Sequence, residues 1–547
     1  MTGAFTVEFQ PSGMKTTDSG RGSLLHLARS LGLSLESTCG GLGNCRSCAV
    51  RIVGAISPPT AQESAGFTPE EIASGWRCAC QTKAAGACTV YIPAKSAGVQ
   101  FSAGKEAEEG FVPIAEPIFT PDPQAGYWRR GERLVGPVTN GGPIGLAVDL
   151  GTTNVAAALV DLGTGHLLDS KTITNPQVVF GADVISRLGH ALQGEAQMRE
   201  MQLAAVEGIR ELANGLTGGN LSRIAEVAVV GNTVMQHLLL GQPVESLSRA
   251  PYNPAVLEAT EIITADLGLC FAPDTLLYCA PNVAGFIGGD HLSALLDVAA
   301  KTPKGKWAML DIGTNTEIAL CVDGKISSVS CASGPAFEGG KLTCGMRASP
   351  GAIDRVVIND TVEISTIGGH SPTGICGSGV LSLVASLKRA GILDSRGRMK
   401  LGHRLIRERG SSREFVLRDD GVPAILPVVF TQGDVRAVQL AKAAIRAGLD
   451  ILLSNAGLDA SDLDRVLVAG AFGRFVNIED AFLIGLLPNL PPERVVQVGN
   501  SAGAGVCRLV ACAGARREVA AMARQIRYLE LALEPTFQKT FVARSFL

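Results

Sequence analysis

The segment Ser37 to Cys48, STCGGLGNCRSC, sets Cys39, Cys45 and Cys48 on a glycine-rich loop with little else to pack. Five residues separate the first two thiols and two separate the next pair; Cys80, in RCACQT, lies 32 positions beyond Cys48. Four thiolates in such a set can hold a [2Fe–2S] cluster. Gly40, Gly41 and Gly43 let the backbone wrap tightly, and exposed N–H groups can hydrogen-bond the sulfurs and stabilise the cluster's negative charge. Structural zinc, the alternative, commonly uses two close cysteine pairs, whereas this loop offers one pair and an outlier. Cys78, two residues before Cys80, would point the opposite way in an extended segment and is expected to be a packed thiol. Cys88 and the eight cysteines after residue 250 are scattered, as core residues would be.

A second chemistry is suggested by two turns. DLGTT (Asp149 to Thr153) and DIGTN (Asp311 to Asn315) each end an apolar strand on an acid and then turn on a glycine. Backbone N–H groups of Gly151, Thr152 and Thr153, and of Gly313, Thr314 and Asn315, can converge there on phosphate oxygens. Asp149 and Asp311 can hold hydrated Mg²⁺ or orient an attacking water, as phosphoryl transfer requires. One Asp-Gly turn is the commonest hairpin signal and weak evidence; two in a duplicated context are strong. TGICGSG (Thr373 to Gly379), with Gly374 and Gly377 before an apolar helix, and VLVAGAFGRF (Val466 to Phe475), with Gly470 and Gly473 after an apolar strand, fit an adenosine pocket. Alone, each would read as a tight packing turn. A Walker A loop is absent: GPAFEGGKLT has an extra glycine before Lys341 and Leu where Ser or Thr belongs. No Rossmann fingerprint follows the first strand, so NAD is not expected.

The elements that must carry these groups are legible. AFTVEF, SLLHLARSLGL, CAVRIV and CTVYIP predict strand, helix, strand and strand around the cysteine loop, a mixed α and β domain over residues 1–95. Residues 96–143 are rich in Gly, Pro and charge and read as a linker with some packed portions. IGLAVDLGTTNVAAALVDLGTG recurs as WAMLDIGTNTEIALCVDGKI, and aligning Asp149 with Asp311 sets the copies 162 residues apart. Two α/β halves, 144–304 and 305–547, are therefore expected, with helices such as DVRAVQLAKAAIRAGLDILLSNAG between the strands. A chain of 547 residues exceeds a single core, and 46% hydrophobic with 18% charged residues suits packed domains. A net charge of −3 without a basic tail argues against nucleic acid. No apolar run is long enough to span a membrane and no secretory signal opens the chain, so a cytoplasmic location is expected. Seven scattered histidines, His190 and His237 among them, suggest no second metal.

The five-residue first gap of the cysteine set resembles the adrenodoxin-like branch of plant-type ferredoxins. The Asp149 turn, the Asp311 turn and Val466 to Phe475 occur in the order seen in the superfamily of acetate kinase, sugar kinases, heat-shock chaperones and actin. NPQVVFGADVISRL (Asn175 to Leu188), GNTVMQHLLLG, SGPAFEGG (Ser333 to Gly340), TGICGSG, AGAFGRF and GNSAGAG resemble a narrower family, the reductive activators of corrinoid proteins, over about residues 1–95 and 144–530. The resemblance implies a ferredoxin-like β-grasp domain (α+β) followed by a duplicated α/β actin-like, ribonuclease H-like, two-lobed ATPase. It implies ATP and Mg²⁺ in a cleft between lobes. It also implies a partner, the corrinoid protein of a methyltransferase system, whose Co(II) is reduced to Co(I), and an electron donor; a homodimer is compatible with it. Many members have a longer region between ferredoxin and ATPase than residues 96–143 provide. A ferredoxin-fused small-molecule kinase and a chaperone-like ATP-switched binding protein are the rival readings, and a 2-hydroxyacyl-CoA dehydratase activator is a weaker one.

Overall fold

The computed structural model describes residues 5–93, 112–137 and 142–547, apart from 11–12, 21, 32, 34, 36–42, 44–45, 47, 182, 273, 303, 411, 422–426 and 474. The N-terminal domain is a five-stranded sheet in the order Met14–Asp18, Phe5–Gln10, Ala84–Tyr91, Ala49–Ile56, Trp76–Cys78. Its first strand runs antiparallel to Met14–Asp18 and parallel to Ala84–Tyr91, and the helix Leu24–Ser30 packs on one face. Alternation in FTVEFQ turns Val7 and Phe9 inward to full burial, where they meet Leu24, Ala28, Val50 and Val90.

Part of the expected linker is folded. Phe119–Asp122, Tyr127–Arg130 and Arg133–Pro137 form a small antiparallel sheet. Phe119 is buried in the core between the lobes, and Pro117 bridges to Cys512. Arg130 donates two hydrogen bonds, 2.9 Å each, to the fully buried Glu226 on the strand Ile224–Val230. Arg516 donates a third at 2.8 Å while its guanidinium lies 4.2 Å over the Tyr278 ring.

The duplication is explicit in the two six-stranded sheets. The first runs Leu167–Thr174, Asn154–Asp161, Ile144–Leu150, Ile224–Val230, Leu276–Cys279, Thr260–Ile263. The second is ordered Val495–Gly499, Arg465–Ala469, Lys306–Ile312, Thr316–Val322, Lys325–Cys331, Arg527–Tyr528. In each, an antiparallel hairpin joins a strand that is parallel on its other side, Ile144–Leu150 to Ile224–Val230 and Lys306–Ile312 to Arg465–Ala469. That arrangement leaves the acid-bearing strand ends and the loops after their parallel neighbours at one edge, where α/β sheets bind ligands.

The lobes meet along an apolar floor. Helix Gly289–Lys301 crosses helix Ser501–Ala511, and Ser293 Oγ donates to the Ala502 carbonyl at 2.8 Å. Gly505 makes this crossing possible, since a Cβ there would stand 2.0 Å from the Ser293 carbonyl oxygen. Leu292, Leu296, Met309, Ala319, Val506 and Leu509 fill the seam.

Removing the Glu226 carboxylate leaves two arginines without their buried anion. Glu226→Ala is expected to lower stability by about 3 kcal/mol, read as a lower urea midpoint; a wild-type midpoint would show that the small sheet is not anchored through this residue.

Candidate functional site

Two sites emerge. In the N-terminal domain, Cys39 and Cys45 lie outside the described residues, so their ligand assignment stays with the sequence. Cys48 and Cys80 are described, and their sulfurs stand 3.3 Å apart, adjacent but inside the roughly 3.8 Å that two thiolates on one tetrahedral metal take, so a bound metal would part them slightly. Glu63, which the sequence reading passed over, builds this end. Fully buried on the helix Ala61–Gly66, its carboxylate accepts from the Cys78 backbone N–H (2.8 Å), the Thr82 hydroxyl (2.9 Å) and the Thr60 N–H (2.9 Å). The Cys78–Thr82 turn is thereby fixed, and the Ala79 N–H ties it to the Cys48 carbonyl at 3.0 Å. Gly43 adopts φ +81, and a Cβ there would stand 2.7 Å from Gln81 Cγ, so this residue sits against the Cys80 turn with a backbone that favours glycine. Cys78 is fully buried, as a packed thiol should be, but it does not face away. The strand Trp76–Cys78 stops there and the chain turns, which breaks the alternation and leaves Cys78 beside both Cys48 and the Gly43 carbonyl. Cys80 remains partly exposed, a placement suited to electron exchange at the surface. The residues described therefore fit a thiolate-held cluster.

The second site lies at the shared sheet edge. Asp149 is next to last on Ile144–Leu150 and Asp311 next to last on Lys306–Ile312. Both turns are where the sequence put them, though the second is one residue tighter: Val155 pairs with Leu150, whereas Thr316 pairs with Ile312. The two turns touch across the cleft, Thr153 Oγ1 to Thr314 Oγ1 at 3.0 Å. Thr314 also donates to Glu338 at 2.6 Å, and Thr152 accepts from Asn232 at 2.9 Å. The Gly313 N–H points at the Asn315 carbonyl, 3.2 Å away. The neighbouring parallel strands supply matching glycines. A Cβ on Gly231 would meet the Leu150 carbonyl at 2.7 Å, and one on Gly470 (φ +88) would meet the Ile312 carbonyl at 2.7 Å and Asp311 Oδ1 at 2.8 Å.

The remaining glycines stand at a distance from the two turns themselves. Gly470 abuts Asp311, but Gly473 closes the short helical turn Gly470–Gly473 and packs on the Val468 carbonyl of its own strand. Gly374 and Gly377 are buried where the short strand Gly374–Ile375 enters the helix Gly377–Arg389.

Three carboxylates join the two that the sequence singled out. Asp290 opens the helix Gly289–Lys301, Glu317 pairs directly across the hairpin with Asp311, and Glu338 sits in SGPAFEGG. All are partly open to the cleft, yet deep enough for desolvation to dominate. Burial, then the Asp311 charge, pushes Asp149 up to about 7. Burial pushes Asp311 to about 6, and burial followed by the Asp149 charge pushes Asp290 to about 8. Glu317 rises well above the usual range through burial and the Asp290 charge, and burial raises Glu338. Glu317 occupies the register position that Ala156 takes opposite Asp149; aligning the two copies at their aspartates hides this, because the second turn is one residue shorter. Among the described residues no three His, Cys, Asp or Glu side chains are arranged to hold a metal ion directly.

The stretch Asn175 to Leu188 supports the first turn from behind. Asn175 donates to the Gly151 carbonyl at 2.8 Å and its backbone N–H to the Thr153 carbonyl at 2.9 Å. Arg187, fully buried, donates to the carbonyls of Thr152 (2.6 Å) and Gly181 (2.9 Å), and burial pulls its pKa down to about 10.

With this geometry in view, comparison with known proteins is decisive. Family models match residues 7–85 as a 2Fe-2S iron-sulfur cluster binding domain, 144–301 as the RACo middle region, and 306–547 as the C-terminal, ASKHA domain of RACo. The corrinoid activation enzyme RamQ of Eubacterium limosum is 34% identical over 412 residues, covering 73% of this chain and 69% of the relative. The chain belongs to the reductive activators of corrinoid proteins. The solved structure of a reductive activator for a corrinoid, iron-sulfur protein superposes with a TM-score of 0.72 at 31% identity, covering 99% of this chain and 98% of that one. The [Co(II) methylated amine-specific corrinoid protein] reductase of Methanosarcina barkeri is 27% identical, over 73% of this chain and 76% of that one. The activators' middle-region model thus falls on the first lobe and not on residues 96–143. Among the described residues no helix is long and apolar enough to cross a membrane.

The raised acids give the activator a defined pH response. Asp290 keeps its proton to about pH 8 when folded, whereas its ordinary value is 3.8, so between those limits the folded chain binds more protons than the unfolded one. Stability conferred by these groups is therefore complete below about pH 4 and declines as pH rises through the folded values. Without nucleotide, the Tm is expected to fall from pH 6 to pH 8 and Asp290→Asn to flatten that slope in scanning fluorimetry; an unaltered slope would contradict the assignment.

Proposed function

We propose that this chain activates a corrinoid methyl-transfer protein by passing one electron from a [2Fe–2S] cluster to Co(II), giving Co(I), with the uphill step driven by ATP. One observation carries the reading: a thiolate loop and an acid-lined, two-lobed cleft share a chain that matches a reductive activator nearly end to end. Cys39, Cys45, Cys48 and Cys80 are the cluster ligands in this reading. Thr152, Thr153, Thr314 and Asn315, with Gly151 and Gly313, contact phosphates; Gly470 adjoins them, and Gly374, Gly377 and Gly473 shape the adenosine side. Asp149 and Asp311 orient the attacking water, assisted by Asp290 and Glu317.

Mg²⁺, when bound, would neutralise polyphosphate charge, and the mutually repelling carboxylates suit a hydrated cation held through its waters. The chain's own contribution is mechanical as well as chemical. Thr153 and Thr314 meet directly, so a polyphosphate entering between the turns must part them and move one lobe against the other. Plant-type [2Fe–2S] centres lie near about −400 mV, and Co(II) accepts an electron only at lower potential; each 59 mV of deficit costs about 1.4 kcal/mol. A lobe movement that changes affinity for the Co(II) partner links the two ends of the molecule. An electron donor upstream and a reducing, cytoplasmic setting complete the proposal.

Reduced protein, MgATP and a Co(II) corrinoid protein mixed anaerobically are expected to give the Co(I) absorbance band. Equal yield without nucleotide would sink the reading. Thr153→Ala is expected to lower ATP turnover about tenfold or more through one lost charge-assisted hydrogen bond. Cys80→Ser is expected to abolish the cluster's visible absorbance and Co(I) formation while leaving ATP binding intact.

A further inference from the structure

Five carboxylates face the cleft, and a nucleotide polyphosphate would bring more negative charge, so cations must meet it there. Two nearby candidates are already committed elsewhere. Arg187 lies behind the first turn with its donors spent on carbonyls, and Lys341 pairs with Asp183 at 4.0 Å with a side chain 70% exposed. Arg347 differs. It stands on the second-lobe arm, is half-buried, and reaches across the mouth to the first lobe, where Nη1 donates to Asn154 Oδ1 at 2.8 Å.

Asn154 directly follows Thr153, and Glu338, whose ionised form the Arg347 charge favours, accepts from Thr314. The guanidinium therefore stands beside both phosphate turns at once. Its acceptor is a neutral amide, and a guanidinium has five N–H donors of which this contact uses one. The arm that carries it is held firmly. The Met346 N–H donates to the Ile375 carbonyl at 2.9 Å, and Gly345 bridges to Ile375. Gly339, at φ +77, lets the arm fold close, because a Cβ there would stand 2.2 Å from the Met346 carbonyl oxygen. SGPAFEGG and TGICGSG thus meet in placing one arginine.

We propose that Arg347 is a catalytic residue for ATP hydrolysis, an arginine supplied in cis that leaves Asn154 and binds the γ-phosphate oxygens. The proposal rests on the ATP-driven reading above. As water adds to the γ-phosphorus, the bond to the β–γ bridging oxygen breaks and ADP leaves with that electron pair. One water proton passes to a cleft carboxylate and then to solvent. Arg347 keeps its protons throughout and stabilises the charge on the transferring phosphoryl group, the role an arginine finger fills in phosphoryl transfer.

The test compares wild type, Arg347→Ala, Arg347→Lys and Asn154→Ala, all confirmed to retain cluster absorbance. Two readouts are taken: steady-state ATP hydrolysis with the Co(II) corrinoid partner, and retention of labelled ADP with aluminium fluoride through gel filtration. Arg347→Ala is expected to lose about a hundredfold or more in kcat with KM within a few-fold, and to lose fluoride-dependent ADP trapping. Arg347→Lys should recover only part of both, because a point charge lacks the planar fork. Asn154→Ala, which removes only the resting partner, should keep kcat within about fivefold. Near-wild-type kcat in Arg347→Ala, or an equal loss in Asn154→Ala, overturns the proposal in favour of a simple latch between lobes. Wild-type hydrolysis without cobalt reduction would defeat the proposed function and leave Arg347 standing; normal cobalt reduction with an active Arg347→Ala would do the reverse.

Discussion

The molecule is organised around an unfavourable arrangement: carboxylates confined together where water is scarce. Asp311 and Glu317 are direct cross-strand partners, a placement in which like charges repel. Asp149 and Asp290 add to the same field, and all are driven toward their protonated forms. The folded chain carries this cost because sheet register and the Gly289–Lys301 helix start leave these side chains no other place. A cation bound with a polyphosphate, as the proposed function requires, would relieve this repulsion. Binding energy would then arise from removing a defect as much as from making contacts, and ligand occupancy would be tied to the state of the lobes.

How the lobes respond follows from comparing the two ends of their interface. At the floor, the helix crossing at Gly505 and the seam of Leu292, Leu296, Met309 and Val506 are continuous apolar packing. Separating them would expose surface at roughly 25 cal/mol per Å². At the mouth the lobes are joined by Thr153 to Thr314, Arg347 to Asn154, and the exposed pair Lys341 to Asp183. The threonine contact and the exposed ion pair are each worth about 1 kcal/mol or less net, and the charged Arg347 hydrogen bond about 1.5–3 kcal/mol. The mouth is therefore the weaker end of the interface, and in the proposed activity a phosphate-sized wedge there would turn the lobes about the crossing helices. Glu226, joined to Arg130 and Arg516, ties the small sheet and the helix Ala513–Gln525 to the outer side of the first lobe.

The strands, the long helices and the doubled hairpin were legible because each has a local signature: alternation in FTVEFQ, acid-Gly-Thr turns, and a stop after Asn455, where Gly457 takes φ +67. The cysteine set was legible as spacing, and the structure adds only its Cys48–Cys80 end. What could not be read is what depends on register or on distant contact. Glu317 becomes a cleft residue because the second turn is one residue shorter than the first. Asp290 arrives from a helix start far along the chain, Glu63 acts through a turn 15 residues away, and Arg347 reaches a residue 193 positions earlier. Cys78 shows the same limit: strand alternation put it on the far face, and a turn that alternation does not foresee brought it back beside Cys48.

The energetics of the proposed activity also constrain what the cleft must do. A coupling free energy between distant sites typically amounts to about 1–3 kcal/mol, which for one electron offsets roughly 40–130 mV. Such coupling is reciprocal: if nucleotide strengthens the grip on a Co(II) partner, that partner strengthens the grip on nucleotide by the same factor. Reversible binding alone can therefore bias the electron's position only over that span and cannot make the transfer one-way. Directionality needs a step that does not run backwards, and in the proposed activity cleavage of the bound nucleotide would supply it. An acid-lined cleft that activates water would then have a purpose that a merely nucleotide-binding cleft lacks. On that reading, the cost of keeping Asp149, Asp290, Asp311 and Glu317 together would be the cost of having an irreversible step at all.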